Sequence, residues 1–239
     1  YKQYNNVRMI LIADSGSTKT TWWLIQGNQK VSEYFTSGIN PFYQSEMDIR
    51  NDIYKNIVSK IEDVLQIDEV YFYGAGCHFP EKKEIVKSAI QLLFIKARVE
   101  INSDLLGACR GMLQNKKGIA CILGTGSNSC FYDGASIVEN VPPLGYILGD
   151  EGSGAVLGKG LVADVLKNQM PENLKEIFFA QYKTSTEEVL ENVYKKPFPN
   201  RYLAGFSVFI RENINEKYMY NIVYKSFVDF FERNVMQYD

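Results

Sequence analysis

One histidine, two tryptophans and seven prolines occur among 239 residues, and the four cysteines form no C-x-x-C pair. Each scarcity removes a class of chemistry. With His78 alone, next to Phe79-Pro80 in an expected turn, Ser–His or Cys–His catalysis would have to rest on one position. Cys77, Cys109, Cys121 and Cys130 lack zinc-like spacing, and three of them sit in apolar stretches where a thiol behaves as a small hydrophobe. Reduced thiols in a cytoplasmic protein are the expectation. No apolar run reaches the ~20 residues of a bilayer-spanning helix, and no signal peptide is expected at the start. Tyr-Lys-Gln-Tyr-Asn-Asn reads as a polar leader before Met9, an expected natural start. A net charge of −2 gives no field for nucleic acid or an anionic membrane, so neither is an expected partner.

What is present is a 46% hydrophobic chain, enough for one large or two small cored domains. Met9–Asp14, Thr20–Gln26 and Lys30–Phe35 read as a three-stranded meander. Ile49, Ile53, Ile57, Ile61 and Leu65 then recur every four residues, a helical stripe opened by a capping signal at Ser45 and Asp48. Glu69–Tyr73 returns to strand and ends in Gly74-Ala75-Gly76. Pro80 opens a helix to about Lys96, Arg98–Asn102 is a short strand, and Ser103-Asp104 begins a helix to about Leu113.

The order then restarts. Gly118–Leu123, Asn128–Tyr132 and Ala135–Glu139 read as strands, and LIADSGSTKTTWW and ACILGTGSNSCFY follow one plan: buried strand, small-residue loop, second strand. Their separation far exceeds the roughly 20–50 residues of a solenoid period. A duplicated α/β domain is expected, residues 7–116 and 117–239, with an almost wholly helical end. In that end Tyr218, Ile222, Phe227, Phe230, Phe231 and Val235 form an expected core stripe. Five strands in the first half against three in the second lead us to expect a chain shorter than its natural gene product.

Three stretches carry chemistry. In DSGSTKT, Gly16 lets backbone N–H groups approach a phosphate, while Ser15, Ser17, Thr18 and Thr20 add hydroxyl donors. Asp14, at the strand end, can hold Mg²⁺ directly or through water; the alternative is a polar hairpin. GTGSNS is a second such hairpin, and two of them can clamp the phosphates of a nucleotide. Asp104, where a strand hands over to a helix, is either an N-cap or a proton acceptor for an attacking hydroxyl. In PPLGYILGDEGSGAVLGKG, Asp150-Glu151 is expected to open a helix, with Asp150 either capping it or accepting sugar hydroxyls beside a wall of Gly145-Tyr146.

DSGSTKT, GTGSNS and LGYILGDEGSGAVLGKG together resemble the N-acetylglucosamine kinase group of the BadF/BadG/BcrA/BcrD ATPase family, from Met9 to about Lys159. The resemblance implies two ribonuclease-H-like domains, of actin-like ATPase layout, that close over sugar and ATP. It implies that Asp14 is associated with Mg²⁺ and that Gly16, Ser17, Thr18 and Lys19 form the first phosphate loop. Thr125 and Gly126 match the second, with Gly124 and Ser127 expected beside them. Asp104 matches the base that deprotonates the sugar 6-hydroxyl, and Asn40, Asn128 and Asp150 fall at sugar-contacting positions, next to the wall expected of Gly145 and Tyr146. Family members often carry tryptophan where this chain has Tyr146, and their adenosine-binding glycine-rich stretch is not found before Asp239. ATP and Mg²⁺ are the expected cofactors and a small amino sugar the expected partner, with a homodimer as one open assembly state. Two competing readings remain: an ATPase activator of a dehydratase or reductase, for which Cys77 is the candidate cluster ligand, and a sugar-binding protein without kinase activity.

Overall fold

The structure, a computed structural model, describes residues 7–238. The chain divides into two compact units between Met112 and Leu113.

The first unit is built on five strands, β1 (Met9–Ser15), β2 (Lys19–Gln26), β3 (Gln29–Ser37), β4 (Glu69–Gly74) and β5 (Arg98–Ser103). Three helices complete it: α1 (Glu46–Asn56), α2 (Pro80–Gln91) and α3 (Asp104–Leu113). Tight turns join β1, β2 and β3, which can therefore pair only antiparallel. The connections carrying α1 and α2 are long enough to bring the chain back parallel. The resulting sheet order, β3-β2-β1-β4-β5, is the ribonuclease-H-like arrangement that the resemblance implies. Register matters for the site: Asp14 pairs with Tyr73, Ser15 with Gly74 and Gly74 with Ser103. The carboxyl ends of three parallel strands thus finish in line.

Alternation along β1 and β4 turns Leu11, Ala13, Val70 and Phe72 inward against Ile49 and Ile53 of α1 and Ile90 of α2, all essentially inaccessible to solvent. The Trp22 ring lies 5.9 Å from that of Phe72, and its indole N–H donates to Thr36 Oγ1 at 3.0 Å. Burying rings of this size contributes about 1.5–3 kcal/mol each.

Two helices are shorter than their sequence patterns. The stripe through Ile61 and Leu65 breaks after Asn56, whose side-chain amide folds back on Asp52, and 3₁₀ turns at Val58–Lys60 and Val64–Gln66 follow. The helix expected to reach Lys96 ends at Gln91, because the Gln91 amide donates to the carbonyls of Phe94 and Ala97 and closes the chain into a turn.

The second unit opens with an antiparallel sheet in the order β6-β7-β8: β6 (Gly118–Leu123), β7 (Ser127–Tyr132) and β8 (Ile137–Glu139). Helices follow: α4 (Gly145–Leu148), α5 (Gly154–Leu166), α6 (Glu172–Tyr182), α7 (Thr186–Tyr194), α8 (Pro199–Gly205), α9 (Ser207–Glu212) and α10 (Lys217–Arg233). Leu161 and Val165 of α5 pack with Phe178, Phe209 and Met219. Glycine at 158 lets α5 lie directly on α8, since a Cβ there would overlap the Leu203 carbonyl.

The core stripe expected on α10 is only partly inward. Phe230 is buried, but Phe227 and Phe231 are 43% and 56% exposed. The inward line runs instead through Met219, Ser226 and Phe230, spaced by seven and four residues. Among the described residues no helix is long and apolar enough to cross a membrane.

Candidate functional site

In the first unit, the residues singled out in the sequence gather at the carboxyl ends of β1, β4 and β5, where open α/β sheets bind ligands. Asp14 is the penultimate residue of β1 and is exposed, and partial burial raises its proton affinity. The loop after it is fixed from within. Ser15 Oγ and Thr20 Oγ1 lie 2.7 Å apart in the interior, with Ser15 Oγ accepting from the Ile39 N–H and Thr20 Oγ1 donating to the Ser37 carbonyl. Those two hydroxyls therefore brace the hairpin and face away from any phosphate. Gly16, Thr18 and Lys19 remain exposed, with Ser17 half-buried. The loop backbone rests on Gly38, where a Cβ would come within 2.5 Å of the Gly16 and Ser17 oxygens. The Lys19 ammonium sits over the Phe35 ring, 4.8 Å from its centroid.

Asp104 is the first residue of α3. The capping hydrogen bond at this terminus belongs to Ser103, whose Oγ accepts from the Leu106 N–H at 3.3 Å, while Asp104 Oδ1 accepts from its neighbour Leu105. Asp104 is thus spared the capping role. Its proton affinity is raised, first by burial and further by the negative charge of Asp14; the Leu105 N–H and His78 pull it the other way. Asn40 reaches the same edge. Its Oδ1 accepts from the Phe42 N–H at 3.0 Å and would lie 3.1 Å from a Cβ on Gly76, in the loop after β4.

Cys77 follows in that loop. It is fully buried, and burial, reinforced by the charge of Asp104, pushes its thiol up to about 12. Such a thiol is neither a thiolate at neutral pH nor presented at a surface. Cys109 and Cys130 are buried as expected, whereas Cys121 is only half-buried. Among the described residues no three His, Cys, Asp or Glu side chains converge to hold a metal. Asp14 offers one hard oxygen ligand, the donor type that suits Mg²⁺, an ion that usually retains several waters.

In the second unit the GTGS loop joins β6 to β7. The Gly124 N–H donates to the Gly126 carbonyl at 2.8 Å, while the N–H groups of Gly154 and Ala155, at the start of α5, donate to the carbonyls of Gly124 and Thr125. Ser127, buried, begins β7, and Asn128 Oδ1 accepts from Ser129 N–H and from the Asn140 amide.

Asp150 was expected to open a helix, and it does not. It adopts φ +56°, Gly152 follows at +76°, and the helix begins only at Gly154, capped by Ser153 Oγ accepting from Val156 N–H. The reason is local: the Asp150 N–H is taken by the Pro143 carbonyl, and its carboxylate accepts from the backbone N–H groups of Ser127 and Gly145. Burial, with the charge of Glu151 adding to it, holds that carboxyl at about 6, against the counter-pull of those N–H groups and Lys159. Tyr146 sits in the single turn of α4, its carbonyl accepting from Lys159 Nζ at 2.6 Å. Sequence reasoning missed Gly38, Glu151 and Ser153. Glycine density alone could have flagged the last two, but which residue caps a helix depends on φ angles that a glycine-rich stretch leaves open.

No protein-family model matches the sequence, and no curated protein matches it. Solved structures do. A candidate N-acetylglucosamine kinase from Porphyromonas gingivalis shares 48% identity over 96% of this chain and 82% of its own, with a TM-score of 0.93. A second, from Chromobacterium violaceum, shares 16% identity over 95% of this chain and 82% of its own at a TM-score of 0.71, a likeness of fold alone.

Proposed function

The chain belongs to the same family as the Porphyromonas gingivalis candidate kinase, and from that premise we propose that it transfers the γ-phosphate of ATP to a hydroxyl of an amino sugar such as N-acetylglucosamine. The observation that carries the reading is the pair formed by Asp14 and Asp104 at the carboxyl edge of the first sheet. Asp104 receives the proton of the sugar 6-hydroxyl as that oxygen attacks the γ-phosphorus. A carboxylate with raised proton affinity suits this role, because a base works best when its pKa approaches the working pH. Asp14 would hold Mg²⁺, which would supply positive charge to neutralise the phosphate oxygens. Asn40 and Asn128 take sugar hydroxyls, as does Asp150 in its ionised form, and the 16–19 and 124–127 loops offer backbone N–H groups to phosphate.

Burial of Cys77 supports the kinase over the electron-transfer activator, since a cluster shared with a partner needs thiolates at a surface. The reading is tested by ADP release with a panel of N-acetylglucosamine, N-acetylmannosamine, glucosamine and glucose, and by phosphorus NMR of the product. An N-acetylhexosamine 6-phosphate is expected. Absence of ADP with every sugar would refute the proposal, and a phosphate on another carbon would refute the assigned position.

A further inference from the structure

Resting on this kinase reading, we propose that Glu151 is a positioning residue that ties the Asp150 turn to α10 and thereby sets the GTGS loop. Asp150 and Glu151 are adjacent carboxylates used in opposite senses. The first accepts from Ser127 and Gly145. The second, 9% exposed, accepts from Arg233 Nη1 at 2.9 Å and from the Asn234 amide at 3.2 Å, both at the end of α10.

The next residue reinforces this anchorage. Gly152 N–H donates to Ser226 Oγ of α10 at 3.0 Å inside the protein, and a Cβ at position 152 would fall 2.7 Å from Leu123 Cδ2 and 3.3 Å from Phe230 Cβ. The turn is therefore clamped between the end of β6 and α10. Beyond it, Gly154 and Ala155 hold the carbonyls of the GTGS loop. A buried carboxylate is costly unless paired. Here its partners come from a helix more than 80 residues later, which fixes where the turn stands and so where the Asp150 carboxylate points.

Arg233→Ala, Arg233→Lys and wild type are compared in the whole chain by affinity for the non-hydrolysable ATP analogue AMPPNP, by KM and kcat, and by carboxyl-carbon NMR titration of Asp150. Arg233→Ala is expected to weaken AMPPNP binding and raise the KM for ATP about tenfold, the loss of one charged hydrogen bond, with a smaller change in kcat. Its Asp150 midpoint is expected to rise, because Glu151 then loses its counter-charge while Lys159 stays in place. Arg233→Lys should restore all three. A variant that melts earlier yet keeps wild-type AMPPNP affinity and Asp150 midpoint would overturn the inference, as would failure of lysine to rescue. If wild-type protein releases no ADP with any sugar, the kinase reading falls, while analogue affinity and the titration still decide the role of Glu151.

Discussion

Asp104 senses the charge of Asp14: the two carboxylates share the carboxyl edge of one sheet, and the ionised state of the latter strengthens the hold of the former on its proton. A base built this way works only above its raised pKa, so turnover should fall on acidification. Asp104→Asn removes the proton acceptor while keeping the side chain's shape. The kcat is expected to drop about 10²–10⁴-fold, with sugar affinity by calorimetry within a few-fold of wild type. Unchanged turnover would show that another group takes the proton.

Gly38→Ala tests how the first loop is seated. The new methyl would meet loop backbone at 2.5 Å, and backbone cannot swing aside as a side-chain tip can. A loss of about 1–3 kcal/mol is expected in denaturant unfolding. The KM for ATP should rise with it, because the displaced atoms belong to the phosphate loop.

Asp150 gives a pH signature with a defined sign. Its carboxyl moves from 3.8 to about 6 on folding, so the folded protein holds that proton more tightly than the unfolded chain does. The resulting penalty is absent below about 4 and complete above about 6. Relative to wild type, Asp150→Asn should therefore gain more melting temperature at pH 8 than at pH 4. An equal difference at both pH values would show that the carboxyl is not shifted. In the wild type, the KM for sugar should climb as pH falls below about 6, where the hydroxyl-accepting form is lost.

Gly158→Ala sets two effects against each other. Alanine in a helix interior is worth up to about 1 kcal/mol over glycine. The methyl, however, would overlap the Leu203 carbonyl of α8 and force the helices apart, at about 1–3 kcal/mol or more. Packing should win, and thermal unfolding should show a net loss.

The strands were legible because their signals are local. β1, β4 and β6 are short apolar runs ended by small residues, and the parallel order follows from the length of the connections. Asp14 and Asp104 could be placed from strand ends alone, and α3 begins and ends where its sequence indicates. Helix ends were less legible. Gln91 and Asn56 stop their helices with side-chain amides reaching carbonyls, a tertiary choice that no periodicity records. The turn at Asp150 escaped for a related reason: its positive φ is offset by N–H groups of Ser127, 23 residues earlier, and of Gly145, neither of which a simple helix-start pattern records. On α10, five of the six stripe residues allowed two faces, with Val235 falling in the turn beyond it, and only packing selected Phe230 over Phe227.

The parallel pairing of β1 with β4 and of β4 with β5 has a consequence for synthesis. The meander of β1, β2 and β3 can close soon after it leaves the ribosome, because its contacts are near in sequence. Asp104, by contrast, acquires its neighbour only after the nascent chain has emerged beyond β5 and both crossovers have docked. The reactive edge is therefore the last part of the first sheet to assemble, and a half-made or misfolded copy lacks the environment that turns an ordinary aspartate into a base.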